Sequence, residues 1–310
     1  METMNSSLSL PRRMSEIVER ARRLPPIPVA VVDAAEEHVI IGACEATRAG
    51  LIEPIMIGSR REIEEALKTQ GLKKDACTII DASSETDAAE IGIKKVLAGQ
   101  AAALMKGWIH TDVLMHPVLA HLRTARRVSH IFVVELASYP KLLFVTDAAI
   151  NIAPDLMTKA AIVQNAVDLA RLFGIDRPKV AALSAVEEIK PAIASTIDAA
   201  CLSKMAERGQ IRHAIVDGPL AFDNAISKEA ALTKKIESEV SGDVDILLVP
   251  ELNSGNILAK DLEYLAGATM GGVVVGASVP IMLPSRSDPP QARLVSAAIA
   301  SLIHHLWKGD

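Results

Sequence analysis

From residue 27 to the C-terminal helix, short apolar runs alternate with stretches whose apolar positions recur at helical spacing. Pro25, Pro26 and Pro28 stop a charged first helix, and 29–32 reads as a buried strand. A helix up to Ala49 follows, closed by Gly50; then a strand at 55–57, a helix at 60–70 closed by Gly71, a strand at 77–80 and a helix at 86–97. The alternation continues with strands at 102–105, 128–136 and 142–145. Only the Tyr139-Pro140-Lys141 link separates the last two, which predicts an antiparallel pair in an otherwise parallel sheet.

Pro154 reads as the first-turn residue of a helix whose stripe is Leu156, Ala160, Val163, Val167 and Ala170. Strands at 180–183, 213–216, 246–249 and 272–275, spaced by helices around 193–207 and 257–266, predict a second sheet with helices on both faces. A strand at 281–283 and a helix opened by Pro289-Pro290 and running through Leu302 complete the chain. The fold class is α/β.

The 310 residues are 50% hydrophobic and 23% charged, with a net charge of -5, enough for about two domains with their own cores. An acidic balance and 3% aromatic residues lack the basic, stacking footprint of a nucleic-acid binder. Cys44, Cys77 and Cys201 are odd in number and far apart, which fits reduced thiols in the cytoplasm and neither a disulfide framework nor a zinc cluster. Arg12-Arg13 precede a charged segment and not the apolar region of an export signal, and no apolar run approaches a membrane span.

In an open α/β sheet, ligands bind beyond the carboxyl ends of strands. Five such stretches carry polar residues: Lys106-Gly107, Asp147 to Asn151, Asp217 to Asp223, Asn253 to Asn256 and Ser285 to Asp288. Ser285-Arg286-Ser287-Asp288 joins hydroxyls, a guanidinium and a carboxylate just before a helix start, which suits a phosphoryl group or, equally, a plain helix cap. Asn253-Ser-Gly-Asn256 reads as a cap or as a glycine-opened ligand contact, and Asp217-Gly-Pro as a strand-ending turn. The glycines at 267, 271, 272 and 276 lack dinucleotide-fingerprint spacing, the hydrolase elbow and phosphate loop are missing, and the histidines have no metal-ligand spacing.

Taken together and in order, Leu104-Met-Lys-Gly107, Val128-Ser-His-Ile-Phe132, Thr146-Asp-Ala-Ala-Ile-Asn151, Pro178-Lys-Val-Ala-Ala-Leu-Ser184, Val216-Asp-Gly-Pro-Leu-Ala-Phe-Asp223, Ser254-Gly-Asn256 and Pro284-Ser-Arg-Ser-Asp288 resemble the phosphate acetyltransferase and phosphate butyryltransferase family. The form of the motifs resembles the butyryl branch and the transferase portion of enoyl-CoA hydratase fusions.

The resemblance implies an isocitrate/isopropylmalate dehydrogenase-like fold of two α/β domains, 1–146 plus 281–310 and 147–280, with the site in the cleft between them. It implies transfer of an acetyl or short-chain acyl group such as butyryl between coenzyme A and phosphate, both as substrates, with no permanent cofactor and no metal. A homodimer, with an enoyl-CoA hydratase as an associate, also follows from it, while the cytoplasmic location and the lack of nucleic-acid or membrane partners rest on the composition above. By this resemblance Ser285, Arg286 and Asp288 are catalytic, and Lys106, His116, Arg127, Ser129, Asn151, Asp217 and Asn256 bind substrate. His116 stands where the family usually has an arginine, and Ala292 where acetyl enzymes carry an aspartate base. Two rivals are a metal-dependent hydroxy-acid dehydrogenase of the same fold, using Asp217 and Asp223, and a catalytically silent assembly subunit.

Overall fold

The computed structural model describes residues 11–71, 77–285 and 288–307. In chain order the elements are α1 (Met14–Ala21), β1 (Ile27–Val32), α2 (Glu37–Arg48), β2 (Ile52–Gly58), α3 (Arg60–Thr69), β3 (Thr78–Asp81), α4 (Glu85–Leu97), β4 (Ala103–Lys106), α5 (Thr111–His121), β5 (Ser129–Glu135) and β6 (Leu143–Thr146). Then follow α6 (Leu156–Leu172), β7 (Lys179–Leu183), α7 (Ala194–Glu207), β8 (Ile215–Leu220), α8 (Phe222–Ile226), α9 (Lys228–Thr233), β9 (Ile246–Leu248), α10 (Leu252–Tyr264), β10 (Thr269–Val275), β11 (Ile281–Met282) and α11 (Pro290–Leu306).

The described strands form one continuous sheet, not two, in the order β3-β2-β1-β4-β11-β10-β5-β6-β9-β7-β8. Each half is parallel within itself, and the antiparallel pairs β11–β10, β10–β5 and β5–β6 weld the halves at the centre. The short link at Tyr139-Pro140-Lys141 does make an antiparallel pair, and Tyr139 Oη donates to the Val244 carbonyl at 2.7 Å.

Alternation along the strands distributes the core. On one face Val29, Val31, Ile131, Val133, Val273, Phe144 and Val180 share a single cluster under α1, α2, α6, α7 and α11. The opposite face carries two separate clusters. Ala30, Val32, Leu104 and Val274 pack with α4 and α5, while Val134, Leu143, Val145, Leu247 and Met270 pack with α8 and α10. The break between these two clusters is the cleft.

Three local expectations change. Pro154 lies before the first turn of α6 and not in it: Asp155 is the cap, its carboxylate accepting from Thr158 N at 2.7 Å. Asp217-Gly218-Pro219 does not end its strand but lies inside β8, a position open to proline because β8 is an edge strand. α10 begins at Leu252, so 253–256 is its first turn. Glu251 caps it, and Gly255 lets the helix lie against the Ala148 backbone, which an added Cβ would approach to 3.0 Å.

Candidate functional site

A cavity of about 420 Å³ occupies the break between the two clusters, within the range of small-molecule sites. Lys106 enters it from the end of β4, Thr111 from the start of α5, Ala148 and Ala149 from beyond β6, Asn256 and Glu263 from α10, and Ser285 and Asp288 from beyond β11. His130, Phe132 and Gly272 of the antiparallel centre also line it. The opening has a simple cause: β10 and β11 share one register pair, Val274 with Ile281, and then diverge. Gly272 N, left without a strand partner on that side, donates to Ser296 Oγ at 3.0 Å from beneath.

Lys106 is buried although it is a lysine, and its Nζ lies 3.4 Å from the Gly107 carbonyl. Its residue parity matches Leu104, which turns it toward the cleft face. Directly after it, Gly107 N donates to the Val32 carbonyl and Trp108 N to the Asp33 carbonyl, at 2.8 and 2.9 Å. The strand end is thereby clamped against β1.

The turn before α11 is held from both sides. Asp288 Oδ2 accepts from Ser285 N at 2.7 Å, and Asp288 N donates to the Ser285 carbonyl at 3.3 Å. Arg293, fully buried, donates to the Ser285 and Asp288 carbonyls at 3.2 and 3.0 Å, so a guanidinium and not a helix cap fixes the turn. The N-cap of α11 is Pro289, which offers no side-chain cap. Burial lowers the Arg293 pKa, opposed by Asp288 and Glu36. Across the cavity, burial followed by the nearby Asp288 carboxylate pushes Glu263 up. Gly42 of α2 makes room for Arg293, since a Cβ there would come within 2.5 Å of its side chain.

The residues singled out from sequence therefore divide. Lys106, Asn256, Ser285 and Asp288 share the cavity, with Ala292 in its wall. Arg286 lies outside the described residues. His116 sits in a separate groove between α4 and α5. Ser129 points to the opposite face of the sheet, where its Oγ accepts from Asn165 Nδ2 at 2.8 Å, because neighbouring strand residues alternate faces. Arg127 donates to Asn151 Oδ1 at 2.9 Å beside another groove. Asn151 itself donates to Asp147 and to the Val128 carbonyl, tying the end of β6 to the start of β5. Asp217 accepts from its neighbour Gly218 N on the edge strand β8, and Asp223 pairs with Lys234 at 3.3 Å. Among the described residues no group of three or more His, Cys, Asp or Glu side chains is arranged to hold a metal.

His130 is a residue that sequence reasoning misses. It carries no motif spacing, and a histidine on the inward face of a strand reads as a core residue. The one available signal is its place in Val128-Ser-His-Ile-Phe132; in the sheet it pairs with Val274, while Phe132 pairs with Gly272.

No cysteine lines the cavity. Burial raises the Cys44 thiol and pushes Cys77 up to about 11, which lowers the thiolate fraction of Cys77 about a hundredfold at neutral pH. Iodoacetamide at pH 7.5 is expected to label Cys77 far more slowly in the folded protein than in urea, without loss of turnover. Rapid labelling with parallel inactivation would contradict this.

A family model described as "Phosphate acetyl/butaryl transferase" matches residues 84–301. The chain is 48% identical over 293 residues to a phosphate acetyltransferase of Rickettsia prowazekii (strain Madrid E), covering 93% of this chain and 84% of that protein. It is 37% identical over 295 residues to a phosphate butyryltransferase of Clostridium beijerinckii (strain ATCC 51743 / NCIMB 8052), covering 94% and 98%. Identity is thus higher to the acetyl-named relative, whereas the motif wording leans to the butyryl branch. A solved branched-chain phosphotransacylase from Enterococcus faecalis V583 superposes with a TM-score of 0.79 at 32% identity, covering 90% of this chain and 99% of that one. A 4-hydroxythreonine-4-phosphate dehydrogenase from Klebsiella pneumoniae, at a TM-score of 0.54 and 13% identity over 91% of this chain and all of that one, shares the fold alone.

Proposed function

This chain belongs to the phosphate acetyltransferase and butyryltransferase family and is a phosphate acyltransferase, and we propose that its central cleft interconverts acyl-CoA plus phosphate with acyl phosphate plus coenzyme A. The observation that carries the siting is the convergence of Lys106, Ser285 and Asp288 on one cavity from strand ends far apart in sequence. A buried ammonium beside a turn with a hydroxyl and backbone amides is suited to an anion and to charge growing on a carbonyl oxygen.

In the direction of acyl phosphate formation, a phosphate oxygen attacks the thioester carbonyl carbon and the C=O π pair moves onto oxygen. Collapse restores the carbonyl, breaks the C–S bond and releases the thiolate of coenzyme A with its electron pair. Lys106 and the guanidinium of Arg286 are assigned to phosphate, and Ser285 to the oxyanion. Asp288 orients the turn through Ser285 N. Asn256, on the opposite wall, is assigned to substrate positioning. Transfer is assigned as direct, in a ternary complex: phosphate itself supplies the attacking oxygen, no cysteine lines the cavity, and the Asp288 carboxylate beside Ser285 is engaged with the Ser285 backbone N–H.

CoA release from acetyl-CoA and from butyryl-CoA, followed at varied phosphate, tests this and ranks the two acyl lengths. Strict phosphate dependence, intersecting double-reciprocal lines and insensitivity to chelator are expected. Parallel lines would overturn direct transfer, and activity lost to chelator and restored by a divalent ion would revive the dehydrogenase-like rival. No helix among the described residues is long and apolar enough to cross a membrane. Cytoplasmic location rests on the three cysteines without a disulfide pattern, the homodimer on the family resemblance, and sedimentation velocity tests the dimer.

A further inference from the structure

His130 is fully buried, and among the described residues neither ring nitrogen has a hydrogen-bond partner. Leaving buried polar atoms unsatisfied is costly, so such a residue is expensive to keep in a strand without a use. Its surroundings set it apart from a core residue. From Val128, just before β5 and in one cluster, the side chains on this face run through His130 and Phe132 to Val134, in the other cluster. His130 therefore falls at the gap and lines the cavity.

The ring is also aimed. Phe132 meets it edge-on, with ring centroids 4.3 Å apart at 68°. A Cβ on Gly272 would stand 2.7 Å from Nε2 and 2.9 Å from Cε1, so the absent side chain at this cavity-lining position is what gives the Nε2 edge its space. Burial brings the pKa down to about 4, with the Asp147 charge opposing, which leaves a neutral imidazole with one N–H donor at neutral pH. Asp147 does not use that donor. Its Oδ1 accepts from Ala149 N and Ile150 N at 3.0 Å, and its Oδ2 from Asn151 Nδ2 at 2.6 Å.

We infer that His130 is a catalytic residue of the transfer, its Nε2–H donating to the acyl carbonyl oxygen as negative charge builds there. The inference rests on the transferase reading above. His130 keeps its proton throughout: the carbonyl oxygen gains the π pair, is stabilised by the N–H, and returns the pair as phosphate or thiolate leaves. A neutral donor serves this better than a base would, because an imidazole this acidic in its protonated form removes little from a thiol.

Three variants and one spectrum test it. His130→Phe keeps a ring without a donor and should lower kcat about a hundredfold while shifting the KM for phosphate and coenzyme A little. His130→Gln places an amide N–H near the Nε2 position and should recover a tenth or more of kcat; His130→Asn, too short to do so, should not. If His130→Phe melts as the wild type and keeps more than half its kcat, the inference is overturned. If it fails to fold, the Gln and Asn pair decides, since equal turnover in those two overturns the inference as well. Independently, adding acetyl-CoA to wild-type protein labelled with ¹⁵N-histidine should move the His130 Nε2 resonance. No movement at saturation removes the contact. A wild type without phosphate-dependent turnover would instead fail the transferase reading, and the spectrum would still decide whether His130 meets a thioester.

Discussion

Replacing Ser285 with alanine is expected to lower the turnover number by about 10²–10³ with little change in the KM for phosphate, and replacing Arg286 with alanine to do the reverse. The two residues are adjacent, so the contrast comes from their chemistry. A guanidinium attracts phosphate before and during transfer, so its loss weakens phosphate binding; lysine is a poor substitute because it lacks the planar fork. A serine hydroxyl has no charge to attract phosphate and gains most when the carbonyl oxygen becomes negative. Stability should hardly change in Ser285→Ala. The contacts that tie residue 285 to Asp288 and Arg293, its N–H to the Asp288 carboxylate and its carbonyl accepting from Asp288 N and Arg293, are made by backbone atoms that alanine retains. A lowered melting temperature with unchanged kinetics in both variants would reduce this turn to a helix entrance and overturn the assignment.

Gly107→Ala is expected to be the most damaging single methyl group near the cavity. A Cβ there would lie 2.1 Å from the Asp33 carbonyl oxygen and 2.5 Å from that of Val32. Both are backbone atoms of the neighbouring strand and its exit, so no side chain can swing away. The end of β4 must then separate from β1, breaking the Gly107 N to Val32 and Trp108 N to Asp33 bonds and carrying Lys106 out of place. The cost should reach or exceed the upper end of about 1–3 kcal/mol for overpacking, with activity falling further than stability. Gly50→Ala is the control. Gly50 has φ +73°, and a Cβ added there would meet nothing within 4 Å, so only the backbone strain of about 1 kcal/mol applies. Thermal melts that fail to separate the two variants would refute the argument.

The alternation of short apolar runs with amphipathic stretches is enough to read the α/β class, most of the strands and the antiparallel β5–β6 pair, because strand and helix periods are local properties. Lys106, Ser285 and Asp288 are legible for a similar reason: polar residues just after a buried strand lie at a sheet edge wherever the strand ends up. What local period does not specify is which strands become neighbours. That β10 and β5 join two parallel halves into one sheet depends on pairing across more than a hundred residues, and the same pairing creates the cleft. His130 and Ser129 show the consequence most directly. They are adjacent in sequence, and sequence reading picks out Ser129 while taking His130 for a core residue. The pleat sends Ser129 to Asn165 beneath the sheet and His130 to the gap above it, and only the packing of α5 and α10 on that upper face determines that the space beside His130 is a cavity and not core.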